Sequence, residues 1–449
     1  MRDRSSPSTV YKDYQFTPTY SSKSFKFLPS LFVLMVFCLP FTQALTIKLG
    51  ARFIISEIIA LFLAPYVFFL GKGKRSTTER LLVVLLVVFL VYSIFISIVG
   101  LIWIMPGYKH LVSSQAFNQY FSLEARAILE NIRLMACIST VLALFAFIRT
   151  KVDFHRIIKI FVITGTLNAI YGIYQIISLW KTPWLPMLPG AYIKLELLRA
   201  SGTLWEYSHY GSFMLIVTLL NLYIIAISKK VLWKITAIFN ITALFLSFSA
   251  TAWMAGIASL SVLIVAQTYK PAVRKIGNSF GMLIILSVAV FLLLNAFDPI
   301  VQKVIWKITK DSPEKFERLE STKNVFKIFL ENPLGIGQGM YVFLFGGALA
   351  YLHIPVELGV FGIFLWGSIL IVIFLAILKL GHNSSTAGYT KRFFPYALAM
   401  FIGTNIFMLN YVTLNHEWVW FELALPVVAL KLALKKDYYN IEARPVSGL

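Results

Sequence analysis

Apolar residues fall in long unbroken runs along this chain, and polar residues collect between the runs instead of alternating with them. The runs lie near 27–45, 52–70, 81–104, 127–148, 157–180, 208–228, 232–249, 252–268, 279–297, 356–380, 393–412 and 417–435. Each is close to the roughly 20 residues that a helix needs to cross a bilayer. In hydrocarbon the backbone must satisfy its own hydrogen bonds, so such runs are helices. The pattern predicts an all-α, polytopic integral membrane protein with about twelve transmembrane helices. Glu130 and Arg133 interrupt the run 127–148, and the runs 232–249 and 252–268 are nearly continuous. No small-x-small cleavage site follows the first run, so it reads as a membrane helix and not as a signal peptide.

The same pattern divides the chain. Residues 1–26 form a polar, basic tail. Residues 27–297 hold the first nine helices, with one long outer loop at 181–207. Residues 298–355 form a second long loop, 356–435 the last three helices, and 436–449 a second tail. Long ordered loops are usually functional, and both face the same side in this arrangement.

Composition narrows the class. The chain has 449 residues, 58% hydrophobic and 14% charged, against about a quarter charged in soluble domains. A soluble enzyme, a disordered chain, a disulfide scaffold and a nucleic-acid-binding domain are excluded. The net charge of +21 reports topology instead, because cytoplasmic loops collect Lys and Arg. With the N-terminus inside, the inner segments carry 25 Lys and Arg and the outer ones 14. Both termini are therefore expected in the cytoplasm. Cys38 and Cys137 lie in apolar runs and behave as small hydrophobes.

The loop 298–355 carries most of the candidate chemistry. Ser312-Pro313-Glu314 has the form of a helix start, with a hydroxyl cap, proline in the first turn and an acidic residue beside it. Leu319, Val325, Phe326, Phe329 and Leu330 recur at helical spacing, and Asn332-Pro333 ends the run. This predicts an amphipathic helix at the outer membrane surface. Arg318 on it is either a phosphate partner or a solvated, snorkelling cation. Gly335, Gly337 and Gly339 follow; they let the backbone approach an anion or pack tightly. No strand precedes them and no Gly-Lys-Ser/Thr follows, which excludes a nucleotide P-loop.

His353 lies where the loop returns to the membrane, with Glu357 one turn later. An imidazole there is either a general base or a capping, hydrogen-bonded side chain. Glu357 is a functional candidate because ionisable groups within spans are costly. On the other outer loop Arg199, in Leu198-Arg199-Ala200-Ser201-Gly202-Thr203, either grips phosphate in a fork or anchors the interface. The histidines lack metal-binding spacing, and no Asp-x-Asp pair lies on an outer loop. Metal-dependent transfer from a nucleotide sugar is disfavoured on that ground.

The run Asn332-Pro333-Leu334-Gly335-Ile336-Gly337-Gln338-Gly339, the preceding Arg318, and His353-Ile354-Pro355-Val356-Glu357-Leu358-Gly359 together resemble the signature of the O-antigen ligase and polymerase superfamily. Arg199 to Gly202, leading into a span, is similar to an earlier element of that family. Ile354 stands where the family usually has Asn, and Ala250 where an arginine is expected. The resemblance implies a bacterial inner-membrane glycosyltransferase of polysaccharide, O-antigen or exopolysaccharide synthesis. Its donor would be a glycan on undecaprenyl pyrophosphate, and its acceptor a sugar hydroxyl at the periplasmic face. In that scheme His353 is the base, and Arg318 and Arg199 balance the pyrophosphate. Lys194, Gly337, Gly339 and Glu357 line the substrate, and no cofactor or metal is needed. Attack in line inverts the anomeric carbon. A polymerase adds the chain to another lipid-linked repeat, whereas a ligase adds it to lipopolysaccharide core (lipid A core) or protein. A polysaccharide transporter or flippase is the alternative of another class.

Overall fold

The structure, a computed structural model, describes residues 27–42, 46–48, 52–70, 75–104, 106, 123–181, 199–204, 206–268, 323, 325–341, 350–382, 388–409 and 414–442. The N-terminal tail, the expected span 279–297, Lys194, Arg318 and the helix start at Ser312 lie outside these residues.

The described chain is helical apart from one small hairpin. Helix α1 (Leu28–Cys38) is followed by β1 (Thr46–Lys48) and β2 (Arg52–Ile54), which pair antiparallel with Thr46 opposite Ile54. Then come α2 (Ile55–Leu70), α3 (Thr77–Val99), α4 (Leu123–Phe147), α5 (Lys151–Lys181), α6 (Tyr207–Ile227), α7 (Val231–Leu246) and α8 (Ala250–Thr268). The C-terminal part holds α9 (Ala350–His382), α10 (Gly388–Met408) and α11 (Glu417–Glu442). Among the described residues six helical stretches are long and apolar enough to cross a bilayer: Thr77–Ile104, Glu124–Phe147, Lys151–Ser178, Tyr207–Ile227, Ala250–Gln267 and His353–His382. Shorter apolar helices cover Leu28–Cys38, Ile55–Phe68 and Val231–Leu246. These elements fit a protein embedded in a lipid bilayer.

Several helices differ in extent from the apolar runs. The first run continues to residue 45, yet α1 stops at Cys38 and turns at Leu39-Pro40. Eleven residues rise only ~16 Å, about half of a bilayer core. The nearly continuous runs after residue 231 are two helices. They are parted at Ser247–Ser249, where Phe248 takes a positive φ of 45° and the Ser249 hydroxyl accepts the Ala252 N–H at 3.2 Å. Glu130 and Arg133 do not break α4, because each finds an oppositely charged partner.

One large apolar core joins α1 to α11. A second, smaller cluster seats the end of the loop on the bundle. The helical segment 325–331 turns Val325 and Ile328 inward against Ala127, Ile336, Met340, Tyr341 and Val356, and exposes Phe326 and Leu330. It ends where Asn332 returns its N–H to the Ile328 carbonyl at 2.8 Å. At the opposite end of the bundle, Lys431 reaches Glu79 at 3.0 Å and donates to the Phe145 carbonyl at 2.7 Å. That contact ties α11 to α3 and α4.

Helix α9 is interrupted. Gly359 has φ 63° and ψ −163°, a conformation open at little cost only to glycine. The break frees backbone groups, and the glycine turn satisfies them. Ile336 donates to Val356 O at 2.8 Å, Gly337 to Glu357 O at 2.9 Å, and Val360 to Pro333 O at 2.9 Å. Irregular backbone at membrane depth is tolerated only when protein or a cavity receives it.

Candidate active site

The turn 333–341, the first part of α9 and the starts of α4, α6 and α11 meet at one end of the bundle. His209 meets His416, Asn415 reaches Glu130, Glu130 abuts Gly339, His353 meets Tyr341, and Arg199 lies on Tyr207 at the start of α6, so all of them belong to this end.

His353 sits in the first turns of α9 and is 1% exposed. Its Nδ1 lies 3.7 Å from Glu357 Oε1, one turn on. The Glu357 carboxylate also accepts the Tyr341 N–H at 3.1 Å, and the Tyr341 ring meets the imidazole edge-on at 4.3 Å between centroids. Neither ring nitrogen of His353 has a hydrogen-bond partner among the described residues. Buried polar atoms are nearly always paired, which makes this imidazole the site's leading candidate for contact with a ligand. The Glu357 carboxylate lies beside Nδ1 but beyond hydrogen-bond distance, and Nε2 is enclosed as well.

The two glycines proposed to line the substrate have distinct settings. Gly337 gives its N–H to the Glu357 carbonyl and presses on Ser97, while Gly339 abuts the side chains of Glu130 and Arg126. Ser97 holds the turn from the other side, accepting the Gln338 N–H at 3.1 Å. Asn131 in turn donates to Ser97 at 2.9 Å. Thus His353, Glu357 and Gly337 form one cluster.

Arg199 belongs to a neighbouring setting. It is 8% exposed, and its guanidinium lies 4.3 Å from the centre of the Tyr207 ring. Among the described residues no carboxylate pairs with it. A largely buried cation with an aromatic wall and no carboxylate favours an anion. The two settings are joined by a polar layer. His209 lies 4.6 Å from His416 between ring centroids, Asn415 donates to Glu130, and Glu130 touches Gly339.

That layer contains charges absent from the sequence-based candidates. Arg133 bridges Glu57 at 3.4 Å and Glu130 at 3.3 Å, and Arg126 lies 3.8 Å from Glu130. Ser56 donates to Glu417. His209 Nδ1 is 3.5 Å from Glu206. His416, ahead of α11, is held well below the usual imidazole range by burial first, then by His209 and Arg133. Glu130 and Arg133 were visible as polar residues inside an apolar run. Their partners Glu57 and Asn415, distant in sequence, carried no signal linking them. Among the described residues no group of three or more His, Cys, Asp or Glu is placed to hold a metal ion. No protein-family model matches this chain, and no curated protein is similar to it.

Proposed function

We propose that this chain is a polysaccharide polymerase of the inner membrane, with about twelve spans, cytoplasmic termini and its active site on the periplasmic face. It transfers a glycan from undecaprenyl pyrophosphate to a sugar hydroxyl of another lipid-linked repeat. The observation that carries this reading is the buried His353, 3.7 Å from Glu357 and without a hydrogen-bond partner among the described residues. Arg199, buried beside Tyr207 at the same end, supports it. The resemblance in the turn and around His353 supplies the substrate class.

In the proposed reaction His353 Nε2 takes the proton of the acceptor hydroxyl as its oxygen attacks the anomeric carbon. The bond from that carbon to the pyrophosphate oxygen breaks, and the electron pair leaves with the pyrophosphate. Arg199 and Arg318 balance its charge. The proton then passes from His353 to water. Backside attack inverts the anomeric centre. Pyrophosphate is a good leaving group, so the step needs neither a protonating acid nor a cofactor. A ligase differs only in the acceptor, lipid A core or protein.

The test is elongation by purified protein in lipid nanodiscs, supplied with lipid-linked repeat units from the producing cells. Wild type lengthens the glycan and releases undecaprenyl pyrophosphate. His353→Ala lowers the rate about 10²–10⁴-fold, with membrane levels unchanged. Persistent elongation in that variant removes the base assignment. The ionisable groups within helices, buried Glu57 and Glu422 and half-buried Arg133, favour transport of a lipid-linked glycan as a second reading. Movement of the glycan across vesicles without any new glycosidic bond would establish that reading instead.

A further inference from the structure

The segment that follows Arg199 is held by polar side chains of α5. Gln175 uses both ends of its amide. Its Oε1 accepts the Ser201 N–H at 3.2 Å and the Gly202 N–H at 2.8 Å, and its Nε2 donates to the Gly202 carbonyl at 2.9 Å. Asn168, seven residues earlier and so on the same face of the helix, accepts the Thr203 N–H at 2.8 Å. On the other side the Ala200 N–H donates to the Leu246 carbonyl at 2.9 Å. The turn closes at Gly202, with φ 56°, where a side chain would strike Asn168 and the Tyr210 ring.

The backbone on the C-terminal side of Arg199 is thereby fixed over four residues, 200–203. Gln175 is fully buried, and burying a carboxamide is favourable only when it is hydrogen-bonded. An apolar side chain there would pack without that demand. The geometry points to Gln175 as the positioning residue for Arg199. Its amide holds the backbone that carries Arg199 before the ligand arrives, which lowers the ordering cost of the binding step. This inference rests on the proposal that Arg199 meets the diphosphate of a polyprenyl carrier.

The test is a double-mutant cycle on the full chain in nanodiscs, reading the affinity for undecaprenyl pyrophosphate. Arg199→Ala weakens binding at least about tenfold, the scale of one charge-assisted hydrogen bond. Gln175→Met, similar in volume but without the amide, weakens it by a similar factor. The Arg199→Ala/Gln175→Met pair loses little beyond Arg199→Ala alone, because the amide acts through the guanidinium. A purely structural role would multiply the two losses. Should Gln175→Met not accumulate, Asn168→Ala, which removes one bond to the same loop, gives a smaller loss that also vanishes in the Arg199→Ala background. Unchanged affinity in the Gln175 and Asn168 variants, or multiplied losses, overturns the positioning role while leaving the Arg199 assignment intact. Wild-type protein that fails to bind the probe overturns the glycosyl-transfer proposal, and this inference falls with it.

Discussion

At Gly359 the backbone takes a conformation that costs most residues roughly 1–3 kcal/mol. A methyl there would also run into the backbone of Pro333 and Leu334. Gly359→Ala is therefore expected to lower stability by about 2 kcal/mol or more and to separate the turn from α9. Gly367, eight residues further along the same helix, has nothing within 4 Å of the position its Cβ would occupy. Gly367→Ala should be neutral or stabilising by roughly 0.5–1 kcal/mol, through lost unfolded-state freedom. Aggregation temperatures in detergent compare the two. Equal shifts would mean that the turn and the broken helix do not depend on their close approach.

Elements are joined here by charges buried in the bundle as well as by apolar surface. Arg133 on α4 sits between Glu57 of α2 and Glu130 of its own helix, and Glu130 carries the contact on to Asn415 before α11. Removing Arg133, which is half-buried, leaves the buried Glu57 without a cation while Glu130 keeps Arg126 and Asn415, at about 3 kcal/mol, the lower end for a broken buried pair. Arg133→Met should cost that much, measured by denaturation in detergent. Arg133→Met combined with Glu57→Gln and Glu130→Gln should recover most of it. A single variant as stable as wild type would show that these carboxylates need no cation. That the described chain is built of apolar helices was legible from the runs, but their ends were not, as α1 stops at Cys38 within a run that reaches residue 45. The break in α9 was not, since Gly359 lies inside the run 356–380, whose apolar character continues across it, and the helix begins before that run, taking in Pro355. Its cause is the partner turn, which supplies the donors for the freed carbonyls.

For the whole molecule, the distribution of Lys and Arg sets a testable orientation. Cys38 and Cys137 are buried, so cysteines introduced elsewhere dominate thiol labelling. Leu330 is 74% exposed at the end that carries the candidate site, and Lys230 is exposed at the opposite end, ahead of α7. In intact spheroplasts a membrane-impermeant maleimide should label Leu330→Cys, and label Lys230→Cys only after permeabilisation. The reverse pattern would invert the proposed topology and put the candidate active site in the cytoplasm.

The membrane class, the helical content and the candidate residues His353, Glu357 and Arg199 follow from local properties, and local properties are written in a sequence. Hydropathy sums over neighbours, helical spacing fixes one face, and an imidazole or guanidinium has its chemistry wherever it sits. Tertiary structure decided the rest. It buried His353 without a hydrogen-bond partner among the described residues, set a carboxylate beside it, and stitched the glycine turn to a broken helix. It also brought Gln175 to the loop after Arg199, and Glu57 to Arg133, across 26 and 76 positions of chain. Such pairings depend on which helices become neighbours, and that choice is made by the packing of whole faces, which no single residue encodes.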